Sequence, residues 1–226
     1  MKKLLLVAVA AFLASTTTFA QEKSPKEIYK ERKEILKYSA KQLDVKASKD
    51  ARKEAKRLSK EGWKAMPGAL PLEKQLDRSY KMQNEFTDDL YPKFILGSAS
   101  STGSNYDAAK IEASNLAIQD LASRIQQETT SLIESNVSNA QLGEGEATSV
   151  TKTVMANKAL ISQSIGRTLT VVEAYRDLPG GQKEVMVRLA YSGDLAKKQV
   201  RDMLTKELVK EGKELSKELD NMLWGK

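Results

Sequence analysis

The stretch "KFILGSASSTGSNYDAAKIEASNLAIQDLASRI", residues 93–125, begins as a strand, passes through a Ser/Gly-rich turn and ends as a helix. That is also the order of a phosphate-binding loop, so its reading decides between a nucleotide-binding α/β fold and another architecture. A Walker-type loop needs G-x-x-x-x-G-K-[ST], because the Lys reaches the terminal phosphates and the hydroxyl holds magnesium. Gly97 and Gly103 stand one residue too far apart for it, and the turn holds no Lys. The dinucleotide fingerprint G-x-G-x-x-G is missing as well, and Asp107 would compete with any anion resting on the helix N-terminus. The turn is therefore read as strand-to-helix geometry.

Within this stretch the pattern predicts a strand over Lys93–Ala99, with Phe94, Leu96 and Ser98 facing one way and Ile95 and Gly97 the other. Ser104 and Asp107 form an S-x-x-D capping pair for the helix. Ile111, Ile118, Leu121 and Ile125 mark its buried face, flanked by Ala108, Ala109, Ala113, Ala117 and Ala122. At ~1.5 Å per residue the helix is roughly 30 Å long, enough to cross a small sheet. "TTSLIESNVS" then reads as a second strand because of its β-branched residues, and "NAQLGEGEATSV", with Gly143 and Gly145, as a loop. A shorter helix is expected from Thr148 to about Ser164.

Towards the C-terminus "RTLTVVEAYRDL" and "KEVMVRLAY" are strands joined by Pro179-Gly180-Gly181, where Pro followed by Gly suits a type II turn. Val185, Val187, Leu189 and Tyr191 alternate with the mixed set Met186, Arg188 and Ala190. The last element, Asp194 to Trp224, reads as one long helix with Leu204, Leu208, Leu215, Leu219 and Met222 on a stripe. Its "KEL" repeats at 206, 213 and 217 suggest pairing along its length, with the N-terminal helices or with a second copy of the chain.

Towards the N-terminus, Tyr91-Pro92 ends a helix that starts at Leu72, Leu76 and Tyr80. Pro67, Gly68 and Pro71 before it make an ordered turn, and Trp63 reads as a plug for a hydrophobic gap. Ala47, Ala51, Ala55 and Leu58 recur at spacings of four, four and three, a narrow stripe of small side chains on a helix that stops at Gly62. A further helix starts at Ser24, with Pro25 at its first position and Glu27 three residues after the cap.

The chain begins "MKKLLLVAVAAFLASTTTFAQEK", the layout of a secretory signal peptide, with cleavage expected between Ala20 and Gln21. The apolar run is shorter than the ~20 residues that span a bilayer, so the mature chain is expected to be soluble and periplasmic or secreted. It has no Cys and no His, which excludes a Ser-His-Asp triad, a Cys-His pair and a conventional zinc site. No calcium-loop pattern occurs. No metal, cofactor or nucleic-acid partner is expected, and no catalytic residue is assigned; carboxylate-only chemistry is the enzymatic reading left.

The charge is uneven. Between Gln21 and Ala65 fifteen Lys/Arg stand against eight Asp/Glu, whereas from Met66 onward twenty stand against twenty-two. Lys49, Arg52, Lys53, Lys56, Arg57 and Lys60 form the candidate basic patch, which would meet an anionic glycan or lipid surface by salt-sensitive attraction. Interleaved with Glu, the same residues also read as a solvated helical face.

The run from Phe94 to Val137, with its strand, Ser/Gly turn, "NYDAAKIEASNLAIQDLASRI" helix and "SLIESNV" segment, resembles the lipoprotein-20 family of bacterial envelope proteins and the N-terminal domain of the flagellar T protein. That resemblance implies a small α+β core over residues 92–192. The chain lacks the lipid-attachment Cys of those lipoproteins. Over nearly its full length, including "EGWKAMPGALPLEKQLDRSYKMQ", it is similar to exported proteins of Bacteroides-type bacteria that bring no known activity. The expected organisation is a signal peptide (1–20), a basic helical region (21–91), an α+β core with a mostly antiparallel sheet packed by helices (92–192), and a long C-terminal helix (193–226). The expected function is a non-enzymatic envelope module that binds a protein partner or self-associates through its long helices.

Overall fold

The computed structural model describes residues 45–88, 90–139 and 144–210, with 220, 223 and 224. The signal segment with its Ala20/Gln21 junction, the helix from Ser24, Gly143, and the stripe positions Leu215, Leu219 and Met222 lie outside the described residues.

The fold is α+β. In chain order it runs α1 (Lys49–Lys60), β1 (Lys64–Ala65), α2 (Leu72–Gln83), β2 (Phe94–Gly103), α3 (Tyr106–Asn139), α4 (Glu144–Ala156), α5 (Lys158–Ser164), β3 (Leu169–Asp177), β4 (Lys183–Ser192) and α6 (Gly193–Lys210). The four strands form one antiparallel sheet in the order β1-β3-β4-β2. From Ala47 onward the chain is one compact unit. The boundary expected at residues 91/92 is therefore not a domain boundary, since β1 comes from the N-terminal side of it and pairs with β3 at Tyr175 and Ala174.

The β3–β4 hairpin follows the turn chemistry of its sequence. Gly180 takes φ 79° and ψ 12°, the second central position of a type II turn, and Leu178 N–H closes the loop on the Gln182 carbonyl at 2.9 Å. Alternation then directs Val185, Val187 and Leu189 to one face, where they meet Ala109, Ala113 and Ala117 of α3. Leu121 and Ile125 are buried as expected, but in the first turns of the helix the structure corrects the expected face. The alanines are fully buried, while Ile111 is 64% exposed. The helix lies so close to β2 that a Cβ on Gly97 would come within 2.4 Å of the Ala117 carbonyl oxygen, leaving no room for a larger side chain between the layers.

The start of α3 also differs from expectation. β2 continues to Gly103, and Asn105, not Ser104, caps the helix by accepting the Ala108 N–H at 2.9 Å. The helix then runs 34 residues, about 51 Å at ~1.5 Å per residue, straight through the segment expected to be a strand. Tertiary packing overrides the β propensity of "TTSLI". Leu121, Ile125, Thr129 and Ile133 follow one helical stripe, and Ile133 is buried against Val150 and Val154 of α4. Gln126 donates from Nε2 to the Val154 and Met155 carbonyls at 2.9 and 3.1 Å, satisfying the C-terminus of α4. The expected loop around Gly145 is helical, and the helix expected over Thr148–Ser164 is two helices that meet at Asn157. With Ile161 of α5, Val200 and Leu204 of α6, and Leu223, these residues form a core beyond the end of the sheet.

The other sheet face is covered by α1 and α2. The Ala47, Ala51, Ala55, Leu58 stripe is buried as its spacing predicts, and the turn that follows α1 holds Gly62 at φ +89°. Trp63 joins this core, with the Arg176 guanidinium 4.8 Å from its ring centroid. The second helix ends at Gln83, earlier than expected, because residues 85–93 turn back on themselves: Phe86 bridges to Pro92, and Lys93 N–H donates to the Glu85 carbonyl at 2.9 Å.

Candidate functional site

Polar side chains that do structural work account for much of the α2 layer. The Asp77 carboxylate accepts the Ser48 N–H at 2.9 Å on one oxygen and pairs with Lys81 Nζ at 2.7 Å on the other. Burial pushes its pKa up, but Lys81 and Ser48 together outweigh burial and hold it below the usual carboxylate value. Gln75 accepts the Glu173 N–H at 2.7 Å, filling the edge of β3 that the two-residue β1 leaves open, and donates to the Leu70 carbonyl at 2.7 Å. On the opposite face Glu173 accepts from the Tyr106 hydroxyl and from Lys110 Nζ at 2.9 Å. Burial first, and then Glu173, push the Tyr106 phenol up. This cluster clamps the start of α3 onto β3.

The six residues of the expected basic patch all lie on α1. At ~100° per residue, Lys49, Lys53, Lys56 and Lys60 share one stripe, opposite the buried alanines, and carry no ion pair among the described residues. The two arginines are otherwise engaged. Arg57 forks between Glu54 at 2.6 Å and Glu61 at 2.5 Å, and Arg52 Nε donates to the Ala47 carbonyl at 3.1 Å. Between this face and Tyr80 of α2 runs a groove of about 550 Å³, lined by Asp50, Lys53, Glu54, Lys56, Arg57 and Lys60.

A second cavity, of about 260 Å³, sits at the open edge of β2 beneath the 85–93 turn, which itself presents Phe86 and Leu90. Its apolar wall is Phe86, Pro92, Phe94, Ile95 and Leu96; its polar wall includes Ser98, Arg124, Glu128 and Arg188. Arg188 reaches it from β4 and donates from Nη1 to Ser79 Oγ at 2.8 Å, a hydroxyl that is itself fully buried. Burial pulls the Arg188 guanidinium below its ordinary pKa; the Arg124 charge adds to that fall, while Tyr80 and Glu54 oppose it. Arg124, from α3, pairs with Asp120 at 3.0 Å, and the same Asp120 oxygen accepts the Ser98 N–H at 2.8 Å, capping the exposed edge of β2.

No family model, curated protein or solved structure matches this chain. Among the described residues, no group of three or more acidic residues is placed to hold a metal ion, and no helix is long and apolar enough to cross a membrane. The Ser/Gly turn is only Ser104-Asn105, Asn105 occupies the Ala108 N–H, and a Cβ on Gly103 would lie 2.6 Å from the Ala109 nitrogen.

Sequence reasoning located the lysine stripe but missed Arg124, Arg188, Phe86 and Leu90. The available signal was Arg188 itself, a charge in the middle of "VMVRLAY" on a strand covered from both sides. Phe86 and Leu90 carried none, because they continue the apolar spacing of the helix before them.

Proposed function

We propose that this chain is an exported, non-enzymatic module of the cell envelope that binds a protein partner, with the 85–93 turn as a contact. The observation that supports this reading is Leu90. It is 80% exposed and holds φ at +59°, a left-handed conformation that costs a side-chain-bearing residue roughly 1–2 kcal/mol. Thr87 maintains the turn by accepting the Leu90 N–H on its carbonyl at 3.0 Å and the Tyr91 N–H on its hydroxyl at 3.1 Å. Phe86, beside it, is 49% exposed. An apolar residue held in strain at the surface does nothing for the isolated fold, whereas it suits an anchor buried by a partner. A photo-crosslinking residue at position 90, in the mature protein in its native envelope, is expected to give one discrete protein adduct that is absent with the same residue at Ile111. Adducts to glycan or lipid alone, or none, would remove this reading.

The lysine stripe on α1 favours a second reading, docking to an anionic glycan or lipid surface. Vesicles rich in anionic lipid should then co-sediment the protein at low salt and release it at 0.5 M salt, and the triple variant K53E/K56E/K60E should stay in the supernatant. Binding that survives high salt counts against it.

A further inference from the structure

Arg57, Arg124, Arg176 and Arg201 each hold a carboxylate. Arg188 holds none among the described residues, although it lines a cavity and is hydrogen-bonded to a fully buried hydroxyl. A guanidinium does not shed its proton in a protein, so partial burial without a counter-ion leaves a charge that an anion would neutralise. An arginine kept only to cover the core with its stem would carry its head to water. The neighbouring Arg124 sharpens the case, since two guanidinium groups brought to one wall from β4 and α3 act against each other until an anion lies between them. Glu128 is the acidic residue on this wall and Glu54 lies near from α1, but Glu54 is already forked by Arg57. The opposite wall is aromatic and aliphatic. The volume of about 260 Å³ corresponds to about nine waters at ~30 Å³ each, room for a carboxylate and a short apolar body.

We propose that the cavity at the open edge of β2 binds a carboxylate carried on a short apolar body, gripped by Arg188 and Arg124 and covered by Phe86, Phe94 and Leu96. This inference does not rest on the protein-partner reading, because its grip lies on β4 and α3 and its test leaves Leu90 intact. The carboxylate could belong to a free acid or to the C-terminus of a peptide, and the probes separate the two.

The experiment is a titration of the mature protein, followed by backbone amide shifts, with hexanoate, hexanol, an acetylated Ala-Val-Leu free acid and its amide. Saturable shifts at Ser98, Arg124 and Arg188 are expected with at least one acid, and at least tenfold weaker effects with its uncharged counterpart. Tighter binding of hexanoate identifies a free acid; tighter binding of the peptide acid identifies a chain terminus. Arg188→Met should weaken the favoured acid at least tenfold while keeping the fold, because it removes a half-buried charge that holds no carboxylate. Arg124→Gln, at the exposed rim, should weaken it about threefold and provides the same test should Arg188→Met not fold. Equal binding of acid and uncharged counterpart, no saturable binding of any probe, or wild-type affinity in Arg124→Gln together with wild-type affinity in, or failed folding of, Arg188→Met would overturn the proposal.

Discussion

The middle of the α3 face and the α2 face of the sheet are built on opposite principles. Against α3, alanine meets valine, Gly97 allows backbone to approach backbone, and the contact between Ala109–Ala117 and Val185–Leu189 is apolar. Against α2, the buried residues include Gln75, Asp77 and Ser79, with Arg188 rising to meet them. A dry, thin interface fixes layer spacing and tolerates little change. A polar one needs every group partnered, and one incomplete partnership, at Arg188, marks where a ligand belongs. The difference teaches that the α3 face secures the fold, while the α2 face is where the chain retains polar groups that a simple core would not need.

That contrast is broken most severely by Gly97→Ala, which forces a methyl into the space of the Ala117 carbonyl. The expected loss is about 3 kcal/mol in denaturant unfolding, and a wild-type midpoint would mean that the two layers do not meet so closely. The polar face is probed by Asp77→Asn, expected to cost about 2 kcal/mol at pH 7 through the lost Lys81 pair and the weakened bond from Ser48. The folded pKa of Asp77 is lowered, so its contribution is fully present above the ordinary carboxylate value and disappears as pH falls through the folded pKa. Melting curves of the two proteins should therefore stay a constant distance apart above about pH 5 and converge below about pH 4. A gap that persists into acid would place the effect in packing rather than charge. The smallest expected effect is Ile111→Glu, within about 0.5 kcal/mol of wild type. A large loss there would return the buried face of α3 to its isoleucines.

Legibility in the sequence followed the range of the interactions. The α1 stripe was readable because its small residues repeat with the helix period and nothing distant disturbs them, and the β3–β4 hairpin because Pro179-Gly180 specifies its own turn. The continuation of α3 through "TTSLIESNVS" was hidden, since local β propensity is overridden by Ile133 meeting α4, a contact no local pattern contains. Leu121 and Ile125 were read correctly, but the face at the start of α3 was misread for a related reason. Hydrophobicity favours isoleucine as the buried residue, but the closeness imposed by Gly97 selects alanine. Of the candidate surfaces, the lysine stripe was visible as a run, whereas the Arg188 cavity gathers residues from α2, β2, α3 and β4 that are adjacent only after folding.

The pairing of β2 with β4 has a further consequence. Its ten register pairs run from Gly103↔Lys183 to Phe94↔Ser192, so every rung of the ladder that joins β2 to the sheet connects residues separated by three helices and a strand. The local contacts of α1, α2 and the start of α3 form early, but loop-closure entropy delays the β2–β4 ladder until β4 is in place. On a growing chain β2 therefore emerges long before its partner, and for that interval both of its edges lack a strand, with Asp120 of the following helix placed to cap Ser98 on the outer one. The carboxylate that caps the finished sheet is thus also suited to guard the unfinished one.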